Sequence, residues 1–133
     1  MPGFIQDIEK ITIHNENFRK VIYTAMHCQL VLMSLKPGED IGLETHDQDQ
    51  FFRIEQGHGR VVLDGVPTDV FKGFAMLVPA GSTHNVINHS DMPLKLFTIY
   101  APPHHRDAVT HPLKLNARQD TEHFDGVTTG VSN

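Results

Sequence analysis

The chain alternates short apolar and β-branched runs with polar turn residues, and it almost nowhere shows the i, i+3, i+4 apolar spacing of a helix. This pattern predicts an all-β fold in which strands recur at intervals of roughly 8–12 residues. The predicted strands are residues 10–14, 18–24, 28–35, 42–46, 50–56, 59–64, 68–71, 75–78, 84–88 and 94–101.

Turn signals separate these runs and indicate where the regular part ends. Asp64-Gly65 indicates a tight hairpin, and Pro79-Ala80-Gly81 breaks another run. Beyond the last strand the pattern fades into a polar tail, residues 102–133, which we expect to wrap around the barrel or partly fray. The sequence therefore predicts one domain over residues 1–133, with a barrel core over about 18–101.

The bulk composition narrows the function classes. With 133 residues, of which 39% are hydrophobic and 20% charged, the chain has the composition of an ordinary globular domain. The formal net charge of -5 and the lack of a basic stripe argue against nucleic acid as a partner. No segment reaches the roughly 18 apolar residues of a membrane span, so no membrane partner is predicted.

The first residues and the cysteine count bear on the compartment. The start MPGFIQDIEK has neither a basic region followed by an apolar stretch nor a small-residue cleavage site, so no signal peptide is expected. Cys28 is the only cysteine, which excludes an internal disulfide and suits a reducing compartment. We therefore expect a cytoplasmic protein.

Histidine is the commonest metal ligand, and the chain contains ten histidines. Their positions relative to the predicted strands indicate which of them could bind a metal. Because side chains i and i+2 of a strand share a face, Glu44 and His46 are expected to point together into the barrel. Gln50 lies across the next turn, on the face that also carries Phe52. His84 begins a later strand and is positioned to supply a fourth group.

Two spaced patterns resemble those of the cupin superfamily. Gly38-x5-Glu44-x-His46-x3-Gln50-x6-Gly57 is similar to its first motif, G-x5-H-x-H-x3,4-E-x6-G. Gly73-x5-Pro79-x-Gly81-x2-His84-x3-Asn88 agrees with its second motif, G-x5-P-x-G-x2-H-x3-N, at every position. The resemblance implies a small, single-domain, metal-binding protein with a double-stranded β-helix, or jelly-roll barrel.

The resemblance also implies the ligands of one divalent metal ion. His46 and His84 stand at histidine positions of the motifs, whereas Glu44 replaces the other histidine and Gln50 replaces the glutamate. Such a mixed nitrogen and oxygen set suits Fe, Mn, Ni, Co or Zn. The alternatives are a hydrogen-bonded histidine pair without metal, an exposed Glu44 carboxylate, and a Gln50 amide that contacts a metal-bound water instead of the metal.

Two residues outside the motifs are candidates for catalysis by proton transfer. Tyr100 lies on the strand face expected to look into the barrel, where its alternative role is to fill the core. His111 follows the last strand together with His104 and His105, at a point where the tail can fold over the barrel mouth. Loop histidines are otherwise usually solvated.

These features predict a metal-dependent enzyme that acts on a small oxygen-rich molecule, such as a sugar, keto acid or enediol. Isomerisation requires a general base near the substrate carbon, and dioxygenation requires a redox metal with open positions; both stay open. The alternative is a binding or sensor protein that holds metal and ligand without turnover. A titratable base near the metal would favour the enzyme.

A homodimer is predicted as well. The family resemblance, and the need of an open barrel to cover its sheet edges, favour dimers formed by sheet pairing or by exchange of an N-terminal strand. Phe4, Ile5, Ile11 and Ile13 are the candidate contacts.

Overall fold

Two antiparallel sheets make up most of the structure, a computed structural model that describes residues 2–130. The elements in chain order are α1 (Ile8–His14), β1 (Arg19–Thr24), β2 (Gln29–Leu35), β3 (Glu44–Thr45), β4 (Asp49–Gln56), β5 (His58–Leu63), β6 (Val66–Phe71), β7 (Ala75–Val78), β8 (Thr83–Ile87), β9 (Leu94–Ala101), β10 (Thr110–His111) and α2 (Lys114–Gln119). The larger sheet has the order β10-β1-β2-β9-β4-β7, and the smaller has the order β3-β8-β5-β6. The all-β jelly-roll prediction is confirmed.

The hydrophobic core lies between the two sheets. Strand alternation sends Phe52, Ile54 and Leu96 inward from the larger sheet, and Val61 and Val86 meet them from the smaller one. Each of these side chains is at most 5% exposed. Burying one such side chain contributes roughly 1.5–3 kcal/mol, so this interior holds the sheets in the register that positions the site.

Two residues of the sequence motifs have structural roles. Gly57 has a φ of +89°, and a Cβ added there would lie 2.6 Å from the carbonyl oxygen of Pro93, so a side chain does not fit. The amide of Asn88 donates to the carbonyls of Leu35 at 3.0 Å and Met92 at 2.8 Å. Asn88 thereby ties the end of β2 to the turn between β8 and β9.

The strand predicted at the N-terminus is wrong, because helix α1 occupies these residues. The side chain of Asp7 caps the helix by accepting a hydrogen bond from the backbone N–H of Lys10 at 3.1 Å. The β-branched run Ile11-Thr12-Ile13 favours a strand locally, but Thr12 is fully buried where the helix packs against β4 and β9. Tertiary packing therefore overrides the local preference. Ile11 and Ile13 therefore lie on a helix and not on the predicted strand.

The strand predicted over residues 42–46 shrinks to β3, Glu44–Thr45. Gly42 has a φ of +108°, an angle outside the range of a regular strand. Glu44 still pairs with His84 of β8 across the smaller sheet.

The C-terminal tail lies against the barrel through residue 130. Strand β10 pairs with β1, and the ammonium group of Lys114 in α2 donates to a carboxylate oxygen of Asp40 at 2.5 Å. Further along, the backbone N–H of Thr129 donates to the carbonyl of Thr24 at 2.9 Å. Within the described residues, no helix is long and apolar enough to cross a membrane.

Candidate functional site

Glu44, His46 and His84 lie together at one end of the barrel. Glu44 on β3 is the register partner of His84 on β8, and the ring centroids of His46 and His84 are 5.3 Å apart. Nε2 of His46 lies 2.5 Å from Oε2 of Glu44, although without the angles of a hydrogen bond. The structure thus places Glu44 in contact with His46 and pairs it in register with His84.

Gln50 is the fourth candidate ligand and lies on the inward face of β4, 2% exposed. Its amide nitrogen donates to the hydroxyl of Thr98 at 3.0 Å, which fixes the orientation of the amide. Its Oε1 and the Nε2 of His46 are buried without a hydrogen-bond partner among the described residues. Within the same residues, no three His, Cys, Asp or Glu side chains form a ready-made metal site.

The local electrostatics fix the charge states of the carboxylate and one imidazole. Burial raises the pKa of Glu44, but contact with His46 and the nearby Arg19 guanidinium outweigh burial and hold that pKa below its usual value. Burial lowers the pKa of His84. Nδ1 of His84 lies 3.3 Å from the carbonyl oxygen of Ser82. Near neutral pH the cluster therefore contains an ionised carboxylate beside a neutral His84.

Tyr100 is buried beside this cluster. Its ring centroid lies 5.7 Å from that of His46 and 5.2 Å from that of His104, and burial raises the pKa of its hydroxyl. The hydroxyl lies 3.3 Å from Nε2 of His105. Tyr100 does face the interior, in contact with polar groups as well as with core side chains.

A hydrogen-bonded series links Tyr100 to the tail. Nδ1 of His105 lies 2.7 Å from a carboxylate oxygen of Glu122, and Nε2 points to Tyr100. Burial lowers the pKa of His105; it also raises that of Glu122, but the hydrogen bond to His105 more than offsets this and leaves the Glu122 pKa lowered. The pair is therefore a neutral imidazole and an ionised carboxylate near neutral pH.

His104 is the tail residue closest to the cluster, with its ring centroid 4.4 Å from that of His46. Burial, together with the neighbouring His105 and His46, lowers its pKa to about 4. Two of the tail histidines thus lie within the barrel mouth.

A cavity of about 290 Å³ opens beside Glu44 under the tail. Among the side chains that line it are Arg19, Glu44, His104, His105, His111 and Glu122. A second, wider cavity beside α1 contains none of these residues.

His111 lines this cavity but is held by its own partners. Its Nε2 lies 3.0 Å from a carboxylate oxygen of Asp120, and its Nδ1 lies 3.5 Å from the guanidinium of Arg19. The hydrogen bond to His111 lowers the pKa of Asp120. His111 therefore forms part of the cavity wall.

Arg19 and Glu122 are residues of the site that the sequence reasoning missed. Arg19 shares the inward face of β1 with Val21, and a charged residue at an inward position of a strand is a signal that the sequence contains. Glu122 lies in a polar tail without periodicity, and nothing in the sequence marks it as a partner of His105.

Comparisons with known proteins give one consistent result. The family model described as "Cupin domain" matches residues 31–100. The crystal structure of BH2720 from Bacillus halodurans has a TM-score of 0.88 and 42% identity, and the match covers 90% of this chain and 96% of that one.

Two further proteins are similar to this chain in sequence over most of its length. Uncharacterized protein YrkC of Bacillus subtilis (strain 168) is 46% identical over 121 residues, which are 86% of this chain and 65% of that protein. Uncharacterized protein L612 of Acanthamoeba polyphaga mimivirus is 39% identical over 133 residues, which are 96% of this chain and 79% of that protein. The chain thus spans slightly less than two thirds of YrkC.

Proposed function

The chain belongs to the cupin family, and we propose that it is a metal-dependent enzyme that acts on a small oxygen-rich molecule. Glu44, His46, Gln50 and His84 would hold one divalent ion at the end of the barrel. The cavity beside Glu44, of about 290 Å³, has room for a small substrate such as a keto acid, sugar or enediol.

The observation that carries the proposal is a pair of buried polar atoms without hydrogen-bond partners among the described residues. Oε1 of Gln50 and Nε2 of His46 have no hydrogen-bond partner among the described residues, and leaving such an atom unsatisfied costs about 1–3 kcal/mol. A divalent cation would accept both lone pairs and would also separate the oxygen of Glu44 from Nε2 of His46, which lie only 2.5 Å apart.

The donor types fit such an ion. Two imidazoles, one carboxylate and one amide oxygen suit a divalent transition metal and leave it a net positive charge. If Nδ1 of His84 donates its proton to the Ser82 carbonyl, 3.3 Å away, its Nε2 keeps the lone pair that a metal ligand needs. The ion would supply a Lewis acid that polarises a carbonyl or stabilises an enediolate.

Proton transfer is the chemistry that the remaining residues support best. Tyr100 lies beside His46, and its hydroxyl contacts His105, which in turn is held by Glu122. This series would move a proton to or from a substrate in the cavity and keep the His105 ring in one orientation. An isomerase-like reaction therefore fits better than dioxygenation, which needs no such series. His111 is a further candidate for proton transfer from the cavity wall.

The proposal is tested first by metal content. Protein purified without chelators should contain about one divalent ion per chain, and His46→Ala should lose it. His58→Ala is the matched control, because His58 is an exposed histidine on β5. Full metal retention by His46→Ala would reject the site.

Turnover is tested next with the metal-loaded protein. Small keto acids, ketoses and enediols are screened by proton NMR in deuterated water, with oxygen uptake recorded in parallel. Exchange of a substrate C–H for deuterium without oxygen uptake would support isomerase-like chemistry. Oxygen uptake would indicate a dioxygenase, and metal binding without any reaction would support a protein that only binds its ligand.

A further inference from the structure

Arg19 is a buried cation without an anionic partner. It is 8% exposed, and its Nε has no hydrogen-bond partner among the described residues. One guanidinium nitrogen lies 3.5 Å from Nδ1 of His111, a long contact to a group that carries no carboxylate. Within residues 2–130, Arg19 forms no ion pair with a carboxylate, although it lines the cavity beside Glu44.

The carboxylates around the cavity are already engaged elsewhere. Each lies within 3.0 Å of a histidine or lysine nitrogen: Glu44 with His46, Glu122 with His105, Asp120 with His111, and Asp40 with Lys114. None of them neutralises Arg19 by direct contact. The protein therefore keeps one guanidinium free inside a polar cavity.

A buried charge without a partner is unfavourable, and a guanidinium is the group best shaped to bind a carboxylate through two parallel hydrogen bonds. We propose that Arg19 binds the carboxylate of the substrate, so that the ligand of this cavity is a small carboxylic acid. The inference rests on the proposed function, since it assigns the substrate class of the same site. With the acid group at Arg19, the other oxygen functions of the ligand would extend toward Glu44 and His46.

The first test uses wild-type protein treated with a chelator, so that a carboxylate has no metal to bind. Pyruvate is compared with hydroxyacetone, which replaces the acid by a neutral alcohol, and with inorganic phosphate. The probe signal is the Nε–H resonance of Arg19 in nitrogen-15 NMR spectra. Pyruvate should shift this resonance in a saturable manner, and hydroxyacetone should not. An unshifted resonance, equal response to hydroxyacetone, or tighter binding of phosphate than of pyruvate would overturn the proposal.

Variants give the second test. Arg19→Met keeps the length of the side chain without its charge and should weaken pyruvate binding at least 10-fold, and Arg19→Lys should restore part of the affinity. Arg60→Met is the matched control, because Arg60 is an exposed arginine on β5 paired with Asp69. Unchanged affinity in Arg19→Met would overturn the proposal. If this variant does not fold, the response of the wild-type Arg19 resonance to pyruvate is the deciding measurement.

The two proposals fail separately. Pyruvate binding through Arg19 in chelated protein would stand even if His46→Ala showed that the metal site is wrong. Conversely, the protein could take up metal while pyruvate leaves the Arg19 resonance unshifted. That result would overturn only the proposal that Arg19 binds a carboxylate.

Discussion

His105 and Glu122 form a buried hydrogen-bonded pair, with Nδ1 of the ring 2.7 Å from Oε1 of the carboxylate. The contact joins the loop after β9 to the far end of the tail, and it orients the face of His105 that touches Tyr100. Stability and the proposed proton transfer therefore depend on the same pair.

The pH dependence of this pair has a definite sign. The pKa of His105 is lowered by burial, so below about pH 6.5 the unfolded chain binds a proton that the folded protein does not, and stability falls as the pH falls. The pKa of Glu122 is also lowered, because its hydrogen bond to His105 outweighs burial, which gives a second loss below about pH 4.5.

Glu122→Gln tests this linkage. At pH 7 the substitution should reduce the free energy of unfolding by roughly 1.5–3 kcal/mol, because it removes a charge-assisted hydrogen bond. The difference from wild type should shrink as the pH falls below about 4.5. Urea denaturation of metal-free protein between about pH 2.5 and pH 8 measures both effects. A difference that is constant across this range would contradict the assigned charge states.

His84→Ala is expected to be the most damaging single change for metal retention. His84 brings the only candidate ligand from β8, and its loss leaves one nitrogen and two oxygen donors, a poor set for late transition metals. Metal affinity should fall at least about 10–100-fold, the range seen when only a supporting partner of a ligand is lost. Competition with a chromophoric chelator measures the affinity, with the exposed His89→Ala as control. A full complement of metal in His84→Ala would show that His84 is not a ligand.

Gln50→Glu should separate metal affinity from stability. A second carboxylate should tighten divalent metal binding at least about 10-fold, because it lowers the net charge of the loaded site. Without metal, the same carboxylate would lie buried beside the Thr98 hydroxyl, at a cost on the order of 2 kcal/mol. Melting temperatures with and without metal should therefore move in opposite directions. If both melting temperatures shifted in the same direction, Gln50 would not be a metal ligand.

The homodimer stays a prediction, with helix α1 and the residues before it as the candidate contact in place of an exchanged strand. Ile5 is 97% exposed, an unusual position for a large apolar side chain that has no partner. Ile5→Glu should convert a dimer to a monomer without a change in the metal content. Light scattering at micromolar concentration measures the mass of both proteins. A wild-type protein that is monomeric under these conditions would reject the dimer.

The sequence predicted the barrel better than the parts that cover it. Strand alternation and turn residues located β7 and β9 to the residue, because period-two burial and glycine turns are local signals. The helix α1 was missed because its β-branched residues favour a strand, and only packing on β4 and β9 selects the helix.

The residues of the site also differ in how well the sequence predicts their position. Glu44, His46, Gln50 and His84 follow from spacing along strands, since alternation fixes which side chains meet. Arg19 and Glu122 depend on how the tail folds back over the barrel mouth, since Arg19 meets His111, 92 positions away, and Glu122 meets His105, 17 positions away. No local pattern encodes such contacts.

The tail that closes the cavity has a consequence for how this protein can change over evolutionary time. The four candidate ligands lie in the barrel segment, whereas His104, His105, His111 and Glu122 belong to the tail that follows β9. Replacements in the tail can reshape the chamber while the strands, and the ion they would hold, stay as they are. Related proteins with the same barrel are therefore expected to differ in preferred substrate mainly through this exchangeable wall.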